Sequence, residues 1–453
     1  EFHPALYRMT VSVNMDNGAK NDYTESFGMR DFSKSDGQFT INGNKTFLRG
    51  EANSAVFPLT GYPFMTKAEW KKFFGKAQSM GINFFRFHSW APPMAAFEAA
   101  DEMGIYMQPE MYGFGGTPTG FDTLYGKEGE RILEYFASNP SFVMMTFGNE
   151  MTTSSTDTQS EIKSFRARLK SIDPTRLYAE GTNNNLSDSK INTDDDFWTT
   201  AKVAKSGNDK QVRLSFAWNN SSDGGRLEGE QPNSCQDFNK AMEYLNSDIP
   251  VMGHETGQYQ VYPNFKKEIP KYENGVFAPR NLSNFQSIME KKGLSDMNET
   301  FSRVTARTSA ISYRADIEAA LKTAGFGGYQ LLSIQDFPGQ NTALVGILDS
   351  FMDDKDGGFT SEEYKSFNSP ITTLAKLPKY MYNQSDSFNA EVVVTNYSEE
   401  NLNNVSAKWS LAHEDGTLIK EGTLTNVDAL QGTVTSLGSI EENGMFVSVN
   451  KAE

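Results

Sequence analysis

The chain reads as an α/β protein, a (β/α)8 TIM barrel flanked by partial immunoglobulin-like β-sandwich segments. Three observations point there. Short apolar runs alternate eight times with helical stretches across residues 41–378. Several of those runs close on a carboxylate, where barrel strands carry their chemistry. Strict apolar/polar alternation dominates only outside that stretch, in residues 1–40 and 379–453.

The elements follow in order. Tyr7 to Val13 alternates, and Asn17-Gly18 turns the chain, so residues 1–40 are expected to be the last strands of a β-sandwich domain. Asn42-Gly43 is a hairpin signal leading into strand one, Thr46 to Glu51. Thr66-Lys-Ala-Glu69 is a capping box that starts the first helix. Strand two is Ile82 to His88. The helix opening at Pro92-Pro93 stops at Gly104, and strand three runs Ile105 to Glu110. A helix over Glu128 to Ser138 leads to strand four, which ends on Glu150. A helix over Glu161 to Ser171 ends before Asp173-Pro174. Strand five is expected at Arg176 to Gly181 and strand six at Val212 to Trp218. A helix at Asp237 to Leu245 precedes strand seven, Ile249 to Glu255. After a long polar excursion, a helix at Ile311 to Lys322 leads into strand eight, Gly328 to Asp336. Beyond Pro378 alternation returns in Phe388 to Asn396 and Val405 to Leu411, which predicts a second, truncated β-sandwich module.

Composition narrows the function. A formal charge of −16 argues against nucleic acid and anionic membrane as partners. One cysteine, Cys235, excludes an internal disulfide, and four histidines leave little material for a metal centre. No stretch approaches the roughly 20 apolar residues of a membrane span. Asp353-Asp-Lys-Asp-Gly-Gly does not fit the spacing of a calcium-binding EF-hand loop. Thr193-Asp-Asp-Asp196 reads as a surface acidic run or as a rim selecting neutral or cationic sugars. No signal segment is visible, and Leu6 to Val13 already reads as a strand, so the chain is expected to begin within a domain.

The chemistry rests on two glutamates. Phe142-Val-Met-Met-Thr-Phe-Gly-Asn-Glu150 is a continuous apolar strand closing on a carboxylate. Ile249-Pro-Val-Met-Gly-His-Glu255 closes on another. A strand-end Glu often only caps a helix or pairs with an arginine. Two of them at one barrel mouth are the equipment for glycoside hydrolysis. Asn149 can hydrogen-bond a sugar hydroxyl beside the scissile bond. Glu180 and Glu110, at the ends of strands five and three, are rivals for the nucleophile. Among aromatics that could stack on a sugar, Trp90, Tyr112, Phe114, Trp198, Trp218 and Tyr259, the best placed is Trp218.

These motifs carry a family resemblance. Thr146-Phe-Gly-Asn-Glu150 resembles the acid/base motif of glycoside hydrolase family 2, in the clan of retaining β/α-barrel glycosidases. Ser26-Phe-Gly-Met-Arg-Asp-Phe32, Phe39-Thr-Ile-Asn-Gly-Asn-Lys45, Leu48-Arg-Gly-Glu51 and Ala99 to Glu110 resemble that family's run into its barrel. The resemblance covers residues 20–350. It implies Glu150 as acid/base and Glu255 as nucleophile, with carboxyls about 5–5.5 Å apart and a retained β configuration. It implies a raised pKa for Glu150 and an ionised Glu255. Arg86 and His88, in Arg86-Phe-His88-Ser-Trp90, fall near active-site positions, although their interval is one residue shorter than the family's usual form. The family's tryptophan on strand eight is missing. Gln335 and Asp336 stand there and would offer polar contacts instead.

The implied activity is a retaining exo-β-glycosidase, β-galactosidase-like first, with β-glucuronidase and β-mannosidase open. An endo-β-glycanase of the same clan and a non-catalytic carbohydrate-binding protein are the alternatives. No metal or organic cofactor is required. The expected partner is an oligosaccharide or glycoside substrate, and assembly into a homo-oligomer stays open. Polymer-degrading relatives imply export to the periplasm or the extracellular space.

Overall fold

The structure, a computed structural model, describes residues 1–185, 191–203, 212–216, 231–245, 247–337, 344–383 and 385–443. Its centre is a parallel (β/α)8 barrel. The strands are Leu48–Asn53, Phe84–Phe87, Tyr106–Phe114, Met144–Asn149, Leu177–Ala179, Trp198–Thr200, Val251–Thr256 and Gly328–Leu331, barrel strands one to eight. All neighbours except five and six pair in parallel, and strand eight pairs with strand one. A bridge between Thr182 and Thr199 joins the chain after strand five to strand six, so the ring closes.

Local chemistry fixes the helices. Thr66 accepts from the Glu69 N–H, and Glu69 reaches back to the Thr66 N–H, which starts helix Lys67–Gln78. That helix buries Trp70, Phe73, Phe74 and Ala77 against the barrel, each aromatic contributing about 2–3 kcal/mol of apolar burial. Gly104 adopts φ +70° and stops helix Met94–Met103. The last helix before strand eight is twice its expected length, Asn298–Lys322. Its first half packs beside Tyr262 and Phe265 instead of the barrel, so the barrel's apolar periodicity is missing there.

The barrel interior changes character with height. Its floor is apolar: Leu48, Phe84, Tyr106, Met144, Leu177 and Met252 form one cluster with Phe32 and Phe39. Those two phenylalanines come from a three-stranded antiparallel sheet, Phe32–Ser35, Gln38–Ile41 and Asn44–Thr46, that plugs the floor. Its tight turn is Asn42-Gly43, both at positive φ. Nearer the mouth the interior is polar, with Arg86, Gln108, Glu110, Thr146 and Gln330 all buried.

Strand six departs from expectation. It is Trp198–Thr200, pairing with Val251–Gly253. Val212–Arg213 instead pairs antiparallel with Lys202–Val203 in a small side ribbon. Val212 to Trp218 alternates like a strand, whereas a three-residue strand behind an acidic run shows no period. The acidic run is structural. Asp195 pairs with Arg166 and accepts from the Glu180 N–H at 3.0 Å. Asp196 accepts from the Tyr178 N–H at 3.0 Å and from Lys170 at 2.8 Å.

At the N-terminus, Tyr7–Asn14 and Lys20–Phe27 form an exposed two-stranded ribbon. At the C-terminus, the sheet Ile371–Lys376, Phe388–Asn396 and Thr433–Glu442 faces the ribbon Leu402–Ala412 and Leu418–Ala429. Ala390, Val392, Val394, Leu437 and Ile440 fill the space between. The first strand of this layer, Ile371–Lys376, precedes Pro378 and so lies ahead of the alternation that begins at Phe388. Among the described residues no helix is long and apolar enough to cross a membrane.

Candidate active site

The strand ends converge on the mouth through an unusual backbone feature. Ser89, Glu150 and Asn183 sit just past strands two, four and five, and Glu255 lies near the end of strand seven, at φ of +61°, +52°, +53° and +44°. Non-glycine residues in this region cost about 1 kcal/mol or more each and cluster at functional sites. Gly148 permits the approach to Glu150: at φ +158°, a Cβ there would stand 2.6 Å from the Gly113 carbonyl. The Glu150 N–H donates to the Thr182 carbonyl at 2.8 Å, which fixes the turn.

Glu150 and Glu255 meet across the mouth. One oxygen of each and the His254 ring nitrogen lie within 4.8 Å of one another. His254 Nε2 stands 3.6 Å from Glu150 Oε1 and 3.5 Å from Glu255 Oε1. Its side chain is fully buried, and neither ring nitrogen has a hydrogen-bond partner among the described residues. His88 Nε2 lies 3.6 Å and Arg86 Nη1 3.9 Å from the same Glu255 oxygen.

Arg86 is the hub beneath them. It holds Glu110 in a bidentate pair at 2.9 and 3.0 Å, and donates to Asn149 Oδ1 at 2.6 Å and to Gln330 Oε1 at 3.0 Å. Glu110 also accepts from the Ser89 N–H and the Thr146 and Thr182 hydroxyls at 2.9–3.0 Å. Burial alone would raise its pKa, but Arg86 outweighs burial and holds it below the usual range. Glu110 is thus a fully committed anchor. Glu180 is likewise committed, accepting from Thr153, Gln159 and Asn192 at 2.7–2.9 Å. Both rivals are thus tied into the protein's own hydrogen bonds.

The sequence misses Asn183-Asn184-Asn185, which clamps the loop after Glu150. Asn183 Nδ2 donates to Glu150 Oε1 at 2.9 Å. Asn184 Oδ1 accepts from the Met151 N–H at 2.9 Å, and Asn185 Oδ1 from the Thr153 N–H at 2.8 Å. The available signal was a run of three asparagines, residues that tolerate left-handed backbone, directly behind a strand end.

The remaining candidates separate. Asn149 has its oxygen committed to Arg86 and Thr182, so its amide is the donor it has to offer. His88 joins the site; burial, then Arg86, lowers its pKa. Trp90 builds the wall behind it, its indole donating to the Asn53 carbonyl at 3.1 Å and its ring edge-on to Phe57 and Phe87. Gln335 and Asp336 are drawn into local structure. The Gln335 amide donates to the Ser350 carbonyl at 2.9 Å, and Asp336 pairs with Lys355 at 2.6 Å. Trp218 lies outside the described residues.

One expectation is corrected. Burial raises the Glu150 pKa, but nearby His254 and the Asn183 amide outweigh it, so the free site holds this carboxyl below its usual range. Past Glu255, Gly257 at φ +96° allows the Tyr313 ring so close that a Cβ would stand 1.9 Å from it. The Gly257 N–H donates to Ser215, which donates to buried Asp316. Burial pushes the Asp316 carboxyl up to about 7.

Comparison with known proteins agrees with this architecture. A solved FMN-binding beta-glucuronidase from Facaelibacterium prausnitzii L2-6 superposes with a TM-score of 0.55 at 16% identity, covering 96% of this chain and 59% of that one. A solved family 2 beta-galacturonidase from Eisenbergiella tayi, bound to galacturonate, gives 0.55 at 15% identity over 81% of this chain and 58% of that one. In sequence, a beta-galactosidase from Thermoanaerobacter pseudethanolicus is 27% identical over 113 residues, 25% of this chain and 15% of that protein. The chain thus spans under two thirds of the length of these relatives. A family model described as a domain of unknown function (DUF8488) matches residues 386–452. These likenesses establish the fold class, a barrel with added β layers as in family 2-like glycosidases.

Proposed function

We propose that this chain carries the catalytic barrel of a retaining exo-β-glycosidase acting on terminal β-linked neutral sugars, β-galactosides first. The observation that carries the reading is the Glu150–Glu255 pair, at the ends of barrel strands four and seven, with an oxygen of each within 4.8 Å. Inverting enzymes need roughly 6.5–9.5 Å between carboxyls to admit a water, and retaining ones about 5–5.5 Å.

In this reading Glu255 attacks the anomeric carbon and forms a glycosyl ester, while Glu150 protonates the departing oxygen. Glu150 then takes a proton from the water that cleaves the ester. Arg86 and His88 line the approach to Glu255, and His254 faces both carboxylates. The Glu150 side chain keeps 23% exposure in the free site. A sugar seated there removes that water and favours the protonated acid. The neutral-sugar preference follows from Arg86. The guanidinium beside Glu255 is consumed by Glu110, Asn149 and Gln330, leaving it little capacity for a uronate.

A panel of nitrophenyl β-glycosides tests this. Turnover of the galactoside above the glucuronide is expected. Turnover of the glucuronide alone would reverse the substrate assignment, and no turnover of any member would remove the reading.

A further inference from the structure

We propose that Glu150, His254 and Glu255 form a seat for one exchangeable divalent cation of the zinc class, and that its occupancy reversibly closes the hydrolytic site. The inhibitory half rests on the glycosidase reading; the binding half does not.

His254 carries the inference. It is a fully buried imidazole with neither nitrogen hydrogen-bonded among the described residues, and its Nε2 faces a carboxylate oxygen on each side at 3.5 and 3.6 Å. All three donor atoms lie within 4.8 Å of one another. Ligands of a tetrahedral zinc stand roughly 3.4 Å apart, given bonds of about 2.0–2.2 Å. Two of the three separations are therefore nearly right. The third closes by a side-chain adjustment of Glu150, the most exposed member of the set. Imidazole with two carboxylates suits zinc-class ions over magnesium or calcium. Three protein ligands leave a fourth position open to solvent or a sugar oxygen.

The surroundings set the strength. Arg86 lies 3.9 Å from Glu255, but its charge is already matched by Glu110. Asn183 occupies the Glu150 oxygen that His254 faces, so binding must displace or share that hydrogen bond. His254 Nδ1 has no acceptor among the described residues, whereas the histidine of a resident metal donates its second N–H to a carboxylate or carbonyl. The seat therefore favours a weakly held ion that exchanges. His88 also reaches Glu255 at 3.6 Å, but its other nitrogen contacts Ser89 and its ring packs on Phe114.

The test is calorimetric titration of the chelator-treated full chain with zinc chloride, with cobalt(II) absorption as a second readout. One zinc per chain is expected. His254→Ala should weaken it about 30-fold or more, the scale of losing ligand support at a metal site. His413→Ala, at an exposed histidine of the C-terminal ribbon, should leave it unchanged. Magnesium and calcium should bind far more weakly. If His254→Ala fails to fold by circular dichroism, His254→Gln is read in its place. The absence of saturable binding by the wild type, or equal affinity in the folded His254 variant, overturns the seat. If glycoside hydrolysis is found, zinc should raise the apparent KM with an inhibition constant equal to the calorimetric Kd, and chelator should reverse it. Zinc binding through His254 without any hydrolysis would leave the seat and remove the glycosidase reading. Hydrolysis insensitive to zinc, without binding, would remove the seat alone.

Discussion

Glu51→Gln should make the protein's stability less dependent on pH. Glu51 is fully buried on barrel strand one. It accepts from the Ile334 N–H at 2.7 Å and from Asn53 Nδ2 at 3.0 Å, and among the described residues no ion pair joins it to a cation. Burial pushes its carboxyl from the ordinary 4.5 up to about 7. The folded chain therefore binds this proton more tightly than the unfolded chain. Stability from Glu51 is fully present below about 4.5 and is lost as pH rises through about 7. The whole span is worth roughly 3 kcal/mol, at about 1.4 kcal/mol per pH unit. By pH 5 only about 1 kcal/mol of it is gone. A glutamine cannot ionise. Its amide nitrogen must meet one of the two donors, so it loses one hydrogen bond, about 1 kcal/mol at every pH. Wild type and variant should thus nearly coincide at pH 5, and the variant should be more stable by about 2 kcal/mol at pH 8. Urea unfolding at both pH values, followed by tryptophan fluorescence, measures this. Glu268 and Asp316 are also raised to about 7, but they are common to both proteins and cancel in the difference. A difference that does not change with pH, or a wild type that gains on the variant as pH rises, would refute the reasoning.

Other consequences follow from the site. Glu255→Gln should lose about four orders of magnitude in kcat, roughly 5 kcal/mol, with azide restoring turnover and inverting the product. Near-normal kinetics would end the nucleophile assignment. Glu150→Ala should spare the first step with activated phenols and slow deglycosylation, seen as a burst of phenol before slow turnover. Equal losses on activated and natural substrates without a burst would contradict its role. Arg86→Ala should cost about 3–5 kcal/mol of stability, because it strands the Glu110 carboxylate in the barrel interior. Combining Arg86→Met with Glu110→Gln should recover much of that loss in urea unfolding. A single-variant loss under about 1 kcal/mol would show that the pair does not support the interior.

The sequence made the barrel legible because most strands are continuous apolar runs closed by polar residues, a pattern independent of distant contacts. Glu150 and Glu255 followed from the same pattern. Strand six was not legible: three residues, Trp198–Thr200, carry no period, and the stronger alternation of Val212 onwards belongs to a side ribbon. The contacts of Gln335 and Asp336 were not legible, because their partners, Ser350 and Lys355, come from a segment whose folding back no local signal announces. Asn183 was hidden for a related reason, since its role depends on the next strand's loop reaching Glu150. The low pKa of Glu150 depends on His254, which lies over a hundred residues away in sequence.

The central claim is that Glu150 and Glu255 act on one glycosidic bond from opposite sides by double displacement. Proton NMR of the sugar first released from a β-glycoside, recorded before mutarotation, tests it directly. The close approach of the two carboxylates predicts the β anomer as the initial product. An initial α anomer would mean that a water, not Glu255, attacks the anomeric carbon, and would contradict the account.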